Sequence, residues 1–170
     1  MKKYRFTPET VVYRSHVLHR IIATEDFGTV KAGILGGFIE TDYNLDREGT
    51  AWVGGNAYVF AGARVAGDAQ VYDGAMVMDD SQVDGTARVC DHAIVACGSI
   101  VTGNARVWSR AAVYASIVFG DAILARDVEL WHCNIGGFEV LTSGVYRNIT
   151  KPGICQYGVD DLYPQNLIKS

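Results

Sequence analysis

Between Ala51 and Val113 the apolar positions recur with a strict six-residue period. Val stands at 53, 59, 65, 71, 77, 83, 89, 95, 101, 107 and 113. Two positions before each Val is a small residue: Ala at 51, 57, 63, 69, 75, 87, 93, 105 and 111, and Ser at 81 and 99. Gly, Asn and Asp gather between these pairs. An α-helix repeats every ~3.6 residues and cannot hold this period. A meandering sheet needs hairpin turns, for which too few residues lie between the pairs. A small–x–Val triplet reads as a short strand whose ends point inward and whose middle points outward. The three residues that remain make a corner. The repeat therefore predicts an all-β chain, a single-stranded parallel β-helix.

Three hexads close one triangular coil, so residues eighteen apart stack into outward columns. The first face carries Trp52, Gln70, Arg88 and Arg106, with Gly54, Tyr72, Cys90 and Trp108 beside them. The third carries Arg64, Gln82 and Ile100. The second carries Tyr58, Met76, Ile94 and Ala112, with Phe60, Met78, Ala96 and Tyr114 beside them, and it has no charge. An exposed apolar patch above ~400 Å² marks an interaction surface. Tyr58, Phe60, Met76, Met78, Ile94, Tyr114 and Trp131 are thus expected to form a subunit interface, of a homotrimer or homodimer. The competing expectation is that a terminal segment folds back over this face.

The flanks do not repeat. Residues 1–50 form an N-terminal cap, residues 51–136 nearly five coils, and residues 137–170 a C-terminal cap, all in one structural domain. Strands are expected at Val11–Tyr13, Val17–Ala23 and Phe38–Glu40, and turns at Gly28, Gly33, Gly36 and Gly37. After Val113 the pattern slips by one residue: Ser116/Val118, Ala122/Leu124 and Val128/Leu130 restart it five residues on. That deletion is expected to tighten one corner. Phe138–Thr142 and Val145–Ile149 look like a strand pair around Ser143-Gly144. Pro152-Gly153 reads as a turn, and Pro164 argues against a long helix in the tail.

The run from Asp26 to Glu40 (DFGTVKAGILGGFIE), then Asn44-Leu45 and Gly49-Thr50-Ala51-Trp52-Val53, resembles the opening of a hexapeptide-repeat family common in bacteriophages and prophages, which includes the longer enterobacterial YdcK-like proteins. The likeness covers roughly residues 4–130. This chain has Ile34 and Phe38 where relatives often carry a polar residue and Trp. The resemblance implies a left-handed coil, against the usual right-handed crossover. Relatives are often labelled acyltransferases, a label that rests mostly on fold analogy.

Composition narrows the function classes. The 170 residues carry a net charge of −4, with 49% hydrophobic and 20% charged residues. That balance suits a globular domain and argues against general nucleic-acid binding. Lys2 and Lys3 are not followed by an apolar run, and no stretch approaches the ~20 apolar residues of a membrane helix. A cytoplasmic protein is expected, in a bacterial host if the resemblance holds. The cysteines at 90, 97, 133 and 155 lack Cys-x-x-Cys spacing and read as reduced thiols without metal.

Three chemistries compete. Arg88 and Arg106 stack one coil apart with like charges, which is unfavourable unless an anion lies between them. Tyr72 and Trp108 flank them, and Arg110 follows at the corner. Arginine with aromatic rings suits a nucleotide or another phosphorylated ligand; a solvated face with arginine stems lying over Trp108 is the plain alternative. Hexapeptide acyltransferases use a histidine near a subunit cleft as general base. His92 is the candidate here, with CoA as cofactor, and His132 is the second; either could be a solvated corner residue. Two features weigh against the enzyme: the array from 51 to 113 extrudes no loop, and the Asn-Pro-Ala segment seen after the repeats in many such enzymes is missing. His16 and His19 do not complete a three-histidine zinc site. Asp68, Asp73, Asp79, Asp80 and Asp91 lack the nine-residue repeat of calcium-binding rolls and suit turns instead. The expectation is therefore a non-enzymatic protein of phage type that captures a host protein or a small anionic ligand, such as a nucleotide signal of host defence, with no resident cofactor or metal. CoA-dependent acyl transfer is the alternative, and a structural particle component a third.

Overall fold

The computed structural model describes residues 3–151. The six-residue repeat folds as expected into a parallel β-helix. Each Ala and Val of the repeat from Ala51 to Val113 is fully buried, and the middle residue of each triplet points out. Fully burying one Val contributes roughly 1.5–3 kcal/mol, so the inward pairs dominate the stability of each coil. Neighbouring coils are joined by backbone bonds: the Arg88 amide donates to Ala105 O at 2.9 Å, and the Cys90 amide to Val107 O at 3.0 Å.

The third face is a six-stranded sheet running from Arg64–Val65 through Gln82–Val83, Ile100–Val101, Ile117–Val118 and Asn134–Ile135 to Thr150–Lys151. There are thus six coils rather than nearly five. The first and second faces join into one thirteen-stranded sheet. They join because two late strands, Ile123–Trp131 and Val140–Arg147, run through the corner between them. The expected strand pair around Ser143-Gly144 does not form. Val140–Arg147 is one continuous strand, parallel to Ile123–Trp131, and residues 138–151 build another coil instead of a cap. Inward Leu141 and Tyr146, buried like the repeat valines, carry the same in–out alternation without the Ala–x–Val signature. Pro152-Gly153, Cys155 and the tail lie outside the described residues.

The one-residue slip falls where the second face turns into the third. The early coils make that corner with two residues of positive φ, Asp79 (55°) and Asp80 (58°), then Cys97 (60°) and Gly98 (69°). Later coils use one: Ala115 (47°), His132 (53°) and Asn148 (55°). The stacking offset changes accordingly, from Ile100 over Gln82 to Ile117 over Ile100. Buried hydroxyls tie this corner together: Ser99 Oγ accepts from the Ser116 amide at 3.1 Å, and Ser116 Oγ accepts from the Cys133 amide at 2.9 Å. At the corner between the third and first faces the described coils turn on glycine. Gly67, Gly85, Gly103, Gly120 and Gly137 all have φ between 65° and 71°.

Three strands precede the coils: β1 (Tyr4–Tyr13), β2 (His16–Ala23) and β3 (Leu35–Ile39). β1 and β2 form an antiparallel hairpin, β2 pairs with β3, and β3 lies parallel to the Tyr58–Val59 rung. Gly36 and Gly37 sit inside β3 and not in a turn. They are needed for close packing: a Cβ on Gly36 would lie 2.6 Å from the Trp52 ring, and one on Gly37 2.5 Å from Ala57 O. Lys3 closes the end of the coil. Its ammonium donates to the carbonyls of Glu48 (3.1 Å), Gly49 (3.3 Å) and Ala51 (2.9 Å), and burial pulls its pKa below the ordinary lysine value.

The hairpin also takes up part of the apolar second face. Leu18, Phe38, Phe60, Met78 and Ala96 form a buried cluster, with Val11 and Tyr13 packed against it. Phe60 (1% exposed) and Met78 (4%) are therefore covered within the chain and are not available to a partner. Tyr58, Met76, Ile94, Tyr114 and Trp131 remain partly exposed. The hairpin tip is fastened by Glu40, whose carboxylate pairs with His16 Nδ1 at 2.8 Å and accepts from the Ala61 amide at 2.8 Å. Among the described residues no helix is long and apolar enough to cross a membrane.

Two outcomes follow from this packing. A methyl on Gly103 (φ +71°) would lie 2.9 Å from the Gly120 nitrogen, whereas one on Gly98 (φ +69°) meets nothing within 4 Å. Gly103→Ala should cost roughly 1–3 kcal/mol more than Gly98→Ala, a difference of several degrees in Tm by thermal denaturation; equal losses would mean that coil stacking does not require the glycine. The hydrogen bond from His16 holds the Glu40 carboxyl below its ordinary value of 4.5. A depressed carboxyl stabilises above its unfolded pKa and loses that contribution as pH falls through the folded one. Hydrogen exchange at residues 10–18 should therefore accelerate on acidification below about pH 4.5, and already at neutral pH in Glu40→Ala. Protection unchanged in that variant would show that apolar packing alone holds the hairpin.

Candidate functional site

The first face presents a column of outward side chains, and their order creates the site. Trp52 is buried, with the Phe27 ring edge-on at 5.5 Å. Gln70 comes next and donates from Nε2 to Thr50 O at 2.9 Å. Arg88 and Arg106 then lie directly opposite each other on paired strands, about 4.8 Å apart along the stacking direction. Ile123 replaces the cation on the following coil. The basic strip is thus two residues long, bounded by Gln70 at one end and Ile123 at the other.

Neither arginine is neutralised by a carboxylate among the described residues. Among the described residues the arginines in ion pairs are Arg20, Arg47, Arg64 and Arg110. Arg110 is bound to Asp127 at 2.7 Å through both Nε and a terminal nitrogen. It does not line the cavity that Arg88 and Arg106 share. A corner arginine meets the acidic residue of the next corner, whereas Arg88 and Arg106 have only each other along their column.

Tyr72, Arg88, Cys90, Arg106, Trp108 and Ile123 line a cavity of about 180 Å³. Cys90 forms its floor, buried between the two aromatic residues of its column, while Trp108 is 47% exposed. The neighbouring Cys90 thiol, together with burial, pushes the Tyr72 pKa up to about 12. Burial also raises the Cys90 pKa, so the thiol stays protonated near neutrality and is a poor nucleophile. A wider polar cavity of about 410 Å³ adjoins it, sharing Tyr72 and Arg88 and lined further by Gly28, Thr29, Thr50, Asp68, Gln70 and Thr86. Asp68 Oδ1 accepts from the Thr50 hydroxyl at 2.8 Å and the Thr50 amide at 3.1 Å, and these bonds hold its carboxyl below the ordinary aspartate range.

Of the groove residues named from the sequence, Tyr72, Arg88, Arg106 and Trp108 come together. The polar extension was not recognised. Eighteen-residue stacking places Thr50, Asp68 and Thr86 in the column beside Gln70 and Arg88, so that part was open to the same reasoning; Gly28 and Thr29 belong to the non-repeating cap and carry no such signal. His92 lies outside the groove, exposed on the corner between the first and second faces, where its ring would be 3.5 Å from a Cβ at Gly74. His132 is exposed on a different corner. The histidine paired with a carboxylate among the described residues is His16, in the hairpin latch.

No protein-family profile matches the chain. It is similar to the protein named "Uncharacterized acetyltransferase YdcK" of Escherichia coli (strain K12), at 35% identity over 77 residues. The match takes in 40% of this chain and 24% of that protein, so the chain covers about a quarter of the relative's length. The matched stretch and the stacked coils together fit a hexapeptide-repeat protein.

Proposed function

We propose that this protein binds a small phosphorylated ligand in the groove of its first face and does not transform it. The observation that supports this reading is the pair Arg88 and Arg106, held side by side on neighbouring coils with no carboxylate partner among the described residues, next to Tyr72 and Trp108. Two adjacent guanidiniums repel each other, and an anion between them turns that cost into two charge-assisted contacts. Guanidinium forks match phosphate oxygens in a bidentate way, and flat rings suit an organic body attached to the phosphate. In a phage-derived protein the ligand would be a nucleotide signal of host defence, sequestered in the bacterial cytoplasm. The half-exposed strip of Met76, Ile94 and Trp131 would serve contact with a second copy or a captured host protein.

Acyl transfer is the second reading, favoured by the similarity to a protein named an acetyltransferase. CoA is itself phosphorylated, so the arginine pair fits its anionic part. The residues present do not place a base beside it, since His92 stands on the neighbouring corner with no carboxylate to orient it. Transfer through His92 would require a second subunit to complete the site.

Both readings can be tested on the purified chain. In titration calorimetry with ADP, Arg88→Ala combined with Arg106→Ala should weaken binding at least about tenfold, as expected for the loss of charged hydrogen bonds, with thermal stability unchanged. An unaltered affinity in the double variant would place the ligand elsewhere. Under the second reading, acetyl-CoA offered with a panel of amines and sugars should release free CoA thiol, and His92→Ala should lower that rate at least about 100-fold. Release at the uncatalysed rate with every acceptor would end the acyltransferase reading.

A further inference from the structure

The groove is divided, and the division specifies more than a negative charge. Along the column beside the arginines the residues run Gly54, Tyr72, Cys90, Trp108 and Ala125. Two large rings stand on coils either side of a small buried residue. Cys90 is 8% exposed and leaves a notch above itself, walled by Tyr72 and Trp108 and flanked by the two arginines. A flat, mostly apolar slot open to solvent is costly for a protein to leave unfilled with side chains, and Trp108 keeps 47% of its surface exposed there. On the other side of Arg88 the lining changes to Thr50, Asp68, Gln70 and Thr86. The Asp68 carboxylate is ionised at neutral pH, which disfavours a second phosphate at that end and favours hydroxyl groups that can donate to it. Gln70 Nε2 is already used by Thr50 O, which leaves its carbonyl oxygen for another donor.

We infer that the phosphorylated ligand is a nucleotide, with its base in the notch between Tyr72 and Trp108, its phosphate on Arg88 and Arg106, and its sugar hydroxyls toward Asp68 and Gln70. This rests on the anion-binding reading above and adds the ring and the polyol to it. A planar heteroaromatic ring has a π-face for each wall, and such stacking is tolerant of base identity. The backbone does not reach the notch with a free amide, because the amides of Tyr72, Cys90 and Trp108 are committed to the next coil, donating to Val89 O, Val107 O and Leu124 O at 3.0 Å each. Base choice should therefore be loose, with purines ahead of pyrimidines through their larger stacking area. Free nucleotides and CoA share this chemistry, since CoA carries an adenine nucleotide.

The test compares ligands that differ by the ring alone. Calorimetric titrations of the full chain would use AMP, GMP, UMP, CoA and ribose 5-phosphate. AMP should bind at least about tenfold tighter than ribose 5-phosphate. Cys90→Leu, which fills the notch, and Trp108→Ala, which removes a wall at an exposed position, should each abolish the preference for AMP over ribose 5-phosphate. Arg88→Ala with Arg106→Ala should remove binding of both. CoA equal to AMP identifies a site for the nucleotide portion in general, and CoA at least about tenfold tighter identifies CoA as the favoured form; either supports the assignment. Equal affinities of AMP and ribose 5-phosphate for the wild type would overturn the nucleotide assignment while leaving the anion site standing. AMP binding unaffected in Trp108→Ala would overturn it as well. Failure of every phosphate to bind would overturn both readings together.

Discussion

The structure depends on one spacing. Every coil must present its backbone N–H and C=O groups to the next at the distance of a β-sheet hydrogen bond, and the inward residues must permit that distance all the way around. Ala and Val at the ends of each triplet fill the triangular interior without forcing the coils apart. The glycine column answers the same demand from outside, because a Cβ at Gly85 or Gly103 would meet the backbone of the coil beside it. The buried serines are an accommodation of another kind: at the corner where two residues of positive φ give way to one, a hydroxyl supplies the acceptor for the following coil's amide.

Much of this was legible in the sequence because the period is set by geometry. Small–x–Val at six-residue spacing admits one architecture, and the slip after Val113 marked the altered corner to the residue. Where the signature fades, the sequence misled. Leu141 and Tyr146 face inward like the repeat valines, but without the small partner two positions earlier the last coil looked like a hairpin. Gly36 and Gly37 looked like a turn because glycine serves turns and close approaches alike, and only the ring of Trp52 and the carbonyl of Ala57 reveal which is meant.

The two faces of interest fared differently for a related reason. The first face is built within the repeat, so its columns could be written down in advance, and Tyr72, Arg88, Arg106 and Trp108 do meet. Arg110 stands apart from that group, and its partner Asp127 lies after the register slip. On the second face the missing information was tertiary. For Phe60 and Met78 the sequence left open whether a terminal segment covers their column, because the Glu40 bridge between His16 and Ala61 that fastens the hairpin there is scattered over three segments. Period describes what a coil does to its neighbours and is silent about what a cap does to a face.

The stacked rungs also act as a ruler. Backbone positions in one column are separated by whole multiples of the strand spacing, about 4.8 Å. A ligand seated across Tyr72, Cys90 and Trp108 must come to the protein with its own dimensions already right. Under the proposed reading, selection in such a groove would work by rejecting what does not match the graduations, and changing what it accepts would mean exchanging a side chain or moving it by a whole coil.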